Sequence, residues 1–222
     1  MIRARLAGVA ELALVLLIAL GCDLFRIIPL SDVPWLFVIG WISLRLRGQR
    51  WRSVGLVRPA SWRKTVAVAA AAAIALQLLS TFITEPIISR LTHQPTDLSL
   101  FRPLVGNVKL LLLGLGWIWT LAAIGEELVY RGYLLNRIVD LIGRSPIAWA
   151  CSVLLVSALF GLGHLYQGPT GALDTAVTSL LLAALYLGCG RNLWLPILTH
   201  GMTDTIALLL IFFNQVSGVG SP

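Results

Sequence analysis

Long apolar runs separated by short polar breaks dominate the chain, near 6–22, 33–46, 65–91, 106–125, 146–164, 172–190 and 193–213. A bilayer's hydrocarbon core is spanned by about 20 apolar residues in a helix, and a helix satisfies its own backbone polar groups in lipid. The pattern therefore predicts an all-α, polytopic transmembrane helical bundle of about seven to eight helices. The segment from Glu126 to Ile142 keeps a helical period but is more polar. It either continues the span before it or forms a separate, partly buried helix. No internal repeat, low-complexity tract or long linker divides the chain, so 1–222 reads as a single integral membrane domain.

Composition agrees: 58% hydrophobic residues, 12% charged and a mean hydropathy of +0.87 exclude an ordinary soluble domain. The formal charge of +7 raises the question of nucleic acid, but the basic residues cluster between spans and form no single binding face. The partners expected are the lipid bilayer and a membrane-associated protein or peptide, with no nucleic acid. Between Arg45 and Lys64 lie Arg47, Arg50, Arg52, Arg58 and Arg63 without one acidic residue. With Arg3 and Arg5 they place the N-terminus and this connection on the cytoplasmic side, and Arg137, Arg144 and Arg191 fit that side if the spans alternate. The Ala-, Leu- and Arg-rich composition suits a bacterial cytoplasmic membrane. Trp35, Trp41, Trp51, Trp62, Trp117 and Trp194 near segment ends suit interfacial anchoring. The start, Met1 to Arg5 before an apolar run, imitates a signal peptide, but no small-residue cleavage site follows and the run reads as a retained first helix. Cys22, Cys151 and Cys189 are odd in number, show no metal-ligand spacing, and read as small hydrophobes outside any disulfide framework.

Three motifs stand out because ionisable residues at membrane depth cost roughly 2.5–3.5 kcal/mol each. They are Glu126-Glu127-Leu128-Val129-Tyr130-Arg131, Phe160-Gly161-Leu162-Gly163-His164 and His200-Gly201-Met202-Thr203-Asp204. Each contains a pair four residues apart, which share a helix face. Glu127 thus pairs with Arg131, while Glu126 is turned about 100° away. One carboxylate is neutralised and its neighbour stays free to accept a proton. Phe160 and His164 share a face, and Gly161 and Gly163 allow close approach of a neighbouring helix or a substrate backbone. His200 and Asp204 form the third pair, in which the carboxylate fixes the imidazole tautomer or joins it in binding water or metal. Each motif alone also suits a structural role: a salt-bridge cluster, a core histidine, an interhelical hydrogen bond. Together they point to a shared hydrated cavity. A turn at Gly143-Arg144-Ser145-Pro146 brings Glu126, 17 positions before it, and His164, 18 after it, to similar depth on antiparallel helices. His200 follows the Gly190-Arg191-Asn192 turn by only 8 positions, and tilt, a kink or a partial helix must reconcile its depth. Glu11, Glu85 and Asp174 read as interfacial, Asp140 as a surface partner of nearby arginines, and His93 as a loop histidine.

The order E-E-x-x-x-R, F-x-x-x-H, H-x-x-x-N/D on successive apolar helices resembles the CPBP family of CAAX prenyl proteases and bacteriocin-processing or self-immunity (Abi) proteins. The resemblance covers 106–213. It implies Glu126 as the general base that activates water, with His164 holding that water or a metal. Glu127 and Arg131 would orient the base. His200 and Asp204 would stabilise the oxyanion or complete the site, and Phe160 would wall it. Asp204 stands where many members have Asn, which adds a charge and weakens a neutral donor role there. Zn2+ is the one cofactor to consider, with His164, His200 and Glu126 as its ligands if a metal is bound. The H-E-x-x-H pattern of a one-helix zinc site is absent, as are serine-nucleophile and G-x-G-D motifs. The expected activity is that of an intramembrane (metallo)endopeptidase. The rivals are a non-proteolytic scaffold or bacteriocin self-immunity protein, and a proton-coupled transporter.

Overall fold

The computed structural model describes residues 2–25, 32–216 and 218–219, without the side chains of 2–5, 20 and 22–25. Expectations on Arg3, Arg5, Cys22 and the connection at 26–31 lie outside the described residues. Among the described residues there are seven helical rods and no strand: α1 (Ile2–Phe25), α2 (Val33–Leu46), α3 (Trp62–Thr92), α4 (Val108–Ile142), α5 (Pro146–Leu162), α6 (Gly168–Gly188) and α7 (Trp194–Phe212). The stretches Trp62–Thr92, Val108–Ile142, Leu165–Gly188 and Trp194–Phe212 are long and apolar enough to cross a membrane, and 6–19, α2 and α5 are shorter apolar helices. Large apolar side chains such as Leu112, Leu113, Phe82 and Leu154 are exposed on the outside, as lipid contact requires. This is an all-helical integral membrane protein.

Local sequence sets the helix starts. Ser61, Asn107 and Ser145 precede α3, α4 and α5, and their side chains accept from the backbone N–H of Lys64, Leu110 and Ala148. Pro146 occupies the first position of α5, where its missing N–H costs nothing.

The polar segment from Glu126 to Ile142 continues the span before it, so α4 is a single rod of 35 residues. From Ile118 to Leu135 it is wound as a π-helix, with i→i+5 bonding in place of i→i+4. The angular offset expected from a 3.6-residue repeat therefore does not apply at Glu126 and Glu127. The reason is tertiary: residues 127–139 are buried all round, and close neighbours outweigh local winding preference. Gly125 and Gly132 permit this closeness. A β-carbon would come within 2.7 Å of Val33 at the first and 3.2 Å of Leu193 at the second. Because α4 is sheathed by protein here, its charged groups face side chains and not lipid.

The depth of His200 is settled by the α6–α7 turn. The residue after that turn is anchored against Gly132 of α4. Leu193 lies against Gly132 and donates its backbone N–H to the Gly55 carbonyl at 2.9 Å. Gly55 follows a short 3-10 turn, Trp51–Val54, tied to the same junction by Tyr186 Oη donating to the Val54 carbonyl (2.8 Å) and Asn192 Nδ2 to the Val57 carbonyl (3.1 Å). Asn136 Nδ2 donates to Tyr186 Oη (2.9 Å) and closes the link to α4. At the same end Glu11 receives Arg137 (2.7 Å) and Tyr133 Oη (2.6 Å), and Arg47 reaches Asp140 (3.2 Å).

Gly55 has φ +108°, and a β-carbon there would collide with the Arg191 carbonyl oxygen. Backbone strain at such a position alone costs about 1–3 kcal/mol. Gly55→Ala is expected to lower the thermal midpoint in detergent by several degrees. A midpoint equal to wild type would show that the junction tolerates a side chain.

Candidate active site

Glu127 and Arg131 are both fully buried, and Arg131 Nη1 donates to Glu127 Oε1 at 2.8 Å. The i,i+4 pair predicted for an α-helix thus forms on the π-wound rod as well. Burying such a pair is costly unless its other polar atoms are met, and here Arg131 Nε and Glu127 Oε2 stay unpartnered while Nη2 is well satisfied. Arg131 Nη2 donates to the carbonyl (3.0 Å) and the hydroxyl (2.8 Å) of Ser179 on α6. The Ser179 hydroxyl in turn donates to Ser157 on α5 at 3.2 Å. The guanidinium also lies over the Phe160 ring, 4.8 Å from its centroid. One arginine therefore ties three helices together.

His200 on α7 reaches across to this pair. Its Nδ1 stands 2.9 Å from Glu127 Oε1, and its Nε2 faces Asp204 Oδ2 at 3.4 Å and Glu126 Oε2 at 3.8 Å. A carboxylate only accepts, so the ring is set to donate toward carboxylates from both nitrogens. Glu127 and Asp204 hold the imidazole from either side. Glu126 and Glu127 each keep a buried Oε2 without a hydrogen-bond partner, but only Glu127 has its other oxygen engaged, by Arg131 and His200. Glu127 is thus held by two partners, while Glu126 makes only the longer 3.8 Å approach to His200. The carboxyl groups of Glu126, Glu127 and Asp204 gather around the guanidinium of Arg131 and the imidazole of His200.

His164 does not sit inside a helix as expected. Helix α5 ends at Leu162, and His164 opens the 3-10 turn Leu165–Gln167. Its Nδ1 lies 2.8 Å from the Phe160 carbonyl. A carbonyl oxygen accepts, so Nδ1 carries the proton and Nε2 of the neutral ring is left as an acceptor. Phe160 joins the groups: it stacks on His164 (5.0 Å, 27°), meets His200 edge-on (6.0 Å) and takes Tyr130 on its flank (4.9 Å). Gly161 serves the close helix approach expected of it, since a β-carbon there would meet Ala172 and Ala176 of α6. Among the described residues, no three of His, Cys, Asp and Glu are arranged to hold a metal ion, and the candidate set His164, His200 and Glu126 is not so arranged.

Several residues were not foreseen. Ser157 and Ser179 sit in apolar runs without a distinguishing neighbour. Asp32, directly before α2, is 7% exposed and receives Tyr130 Oη at 3.3 Å. Its position just before Val33-Pro34 marks a helix start, and no spacing rule connects it to Tyr130. Asp174, read as interfacial, accepts from Ser80 (2.6 Å) and Thr84 where α3 has a π-turn. An apolar cavity of about 290 Å³ lies beside α7, lined by Ala70, Ala73, Trp119, Met202 and Ile206. Met202 falls between His200 and Asp204 in the chain, and Trp119 packs where Gly201 lacks a side chain.

Fold and site together define a polytopic membrane protein with a buried cluster of ionisable side chains. Residues 107–206, which contain all three motifs, match the family model of the type II CAAX prenyl endopeptidase Rce1-like proteins. Over this region the chain is similar to that family, in line with the CPBP-like motifs. A second likeness is of another kind. The chain is 36% identical over 80 residues to the high-affinity gluconate transporter of Escherichia coli (strain K12), over 35% of this chain and 18% of the transporter. The chain therefore spans less than a fifth of that relative's length. No solved structure matches the chain significantly.

Proposed function

We propose that this chain is an intramembrane endopeptidase that hydrolyses a peptide bond of a membrane-associated protein or peptide, with its basic loop on the cytoplasmic side. One observation carries the reading. Glu126 offers a buried carboxylate oxygen without a partner, 3.8 Å from His200, while Glu127 is committed to Arg131 and His200. In the proposed reaction Glu126 takes a proton from water as the water oxygen attacks the substrate carbonyl carbon. His164 Nε2 accepts the second water hydrogen and orients the oxygen. His200, held by Glu127 and Asp204, stabilises the oxyanion of the tetrahedral intermediate. Collapse breaks the C–N bond as Glu126 returns its proton to the leaving amine. The family likeness over 107–206 supports this reaction class, and the apolar cavity beside α7 suits a lipophilic substrate segment. No step is routed through zinc.

The test is cleavage of a peptide library by the detergent-purified chain, with metal content measured in parallel. His164→Ala is expected to lower cleavage about 10²-fold or more, and a chelator is expected to leave the wild type active. Stoichiometric zinc lost together with activity in His164→Ala would overturn the metal-free scheme in favour of a metalloprotease. Absence of cleavage by the wild type would return the weight to a scaffold or self-immunity role.

The short likeness to a gluconate transporter favours a second reading, in which the buried carboxylates and histidines relay protons. Gluconate uptake by proteoliposomes under a proton gradient tests it directly.

A further inference from the structure

The loop after α2 carries a second feature, remote from the hydrolytic centre in role and chemistry. A cavity of about 160 Å³ opens there, lined by Leu44 and by Trp41, Arg45, Gln49, Arg50, Trp51 and Arg52. Three of these seven side chains are cationic, two are indoles, one is an amide and one is aliphatic, and none is acidic. From Val33 to Thr84 the chain contains no Asp or Glu at all. Arg47 is drawn off to Asp140 at 3.2 Å on the other side of the helix end. Arg45, Arg50 and Arg52 remain exposed, and none of them makes an ion pair among the described residues. Arg45 is held over the Trp41 ring, 5.6 Å from its centroid. Trp51 is held by stacking on Phe37 at 5.2 Å and 11°. The pocket walls are thus set by aromatic packing, while the cationic groups are left without counter-charge.

Indoles at the end of an apolar helix lie at headgroup depth, and arginine's planar fork matches phosphate oxygens. We propose that this pocket binds the phosphate headgroup of an anionic phospholipid, seated by Arg45, Arg50 and Arg52 between Trp41 and Trp51. The shared chemistry is a phosphate oxyanion, and its source is the bilayer. The site does not depend on the proposed proteolysis. It does touch the working helix, because Trp51 also packs within 3.6 Å of where a Gly132 side chain would begin, one residue beyond Arg131.

The experiment is native mass spectrometry of the full chain in detergent, titrated with phosphatidylglycerol or with phosphatidylcholine of the same acyl chains. Wild type is expected to retain one phosphatidylglycerol in preference to phosphatidylcholine. The triple variant Arg45→Gln, Arg50→Gln, Arg52→Gln is expected to weaken that binding about 10- to 100-fold, in line with the surface attraction of each basic residue. The control triple Arg58→Gln, Arg63→Gln, Lys64→Gln removes equal charge outside the pocket and is expected to bind as wild type. Thermal midpoints check that the variants fold, and Trp41→Leu, which leaves the charge intact, is expected to weaken binding by removing the shelf under Arg45. Equal losses in both triples would reduce the site to diffuse charge and overturn it. Equal retention of the two lipids by wild type would overturn it as well. Displacement of phosphatidylglycerol by millimolar inorganic phosphate would assign the pocket to a free anion instead.

Discussion

Glu126→Gln is expected to lower peptide cleavage by about 10²- to 10⁴-fold, the usual contribution of a positioned general base, while the protein becomes no less stable. The two halves of this prediction rest on one fact. Glu126 Oε2 is buried, makes no hydrogen bond and shares its surroundings with the carboxylates of Glu127 and Asp204. Gln keeps the shape and removes one carboxyl group from a cluster of three. The amide cannot take a proton from water, so the chemistry fails. No hydrogen bond at Oε2 is lost at the same time, so the thermal midpoint in detergent is expected to stay level. Cleavage rates and thermal unfolding on one preparation check both. Full cleavage by the variant would remove Glu126 from the reaction. A midpoint lowered by many degrees would make it a structural residue.

Arg131→Met should behave in the opposite way, with stability as the larger loss. Removing one partner of a buried ion pair leaves an uncompensated charge and costs about 3–5 kcal/mol. Here Arg131 also satisfies Ser179 and lies over Phe160, so α4, α5 and α6 lose a common tie. The second variant that makes this informative is Arg131→Met combined with Glu127→Gln. If the cost is the stranded carboxylate, the double variant recovers part of the stability lost in the single one, as a positive coupling in a double-mutant cycle. Activity is not expected to return, because Glu127 also holds His200. A double variant as unstable as the sum of the two singles would show that packing, and not charge, is what Arg131 supplies.

The pair Glu127–Arg131 was legible from spacing alone, because residues four apart meet on either an α- or a π-wound helix here. The same local rule foresaw His200 beside Asp204 and Phe160 beside His164. It misplaced His164 itself, since α5 stops at Leu162 and the histidine sits in the following turn. Ser179 and Asp32 were invisible because each meets the site from a distant stretch of chain. Arg131 and Ser179 are 48 positions apart, and Asp32 and Tyr130 are 98 apart.

Hydrophobic runs of span length determine an all-helical membrane protein, because lipid offers no other partner for backbone N–H and C=O groups. Motif spacing likewise names the groups that cannot be left alone at that depth. Neither specifies the winding of α4 or the level of the α6–α7 turn. Both depend on close contacts between remote segments: Val33 at Gly125, and Leu193 with Trp51 at Gly132. Those contacts bring His200 level with Glu127 although it follows its turn by only 8 positions. Local pattern fixes which face a residue takes on its own helix. How deep that face sits against another helix is set by packing between helices, a property of pairs far apart in the chain.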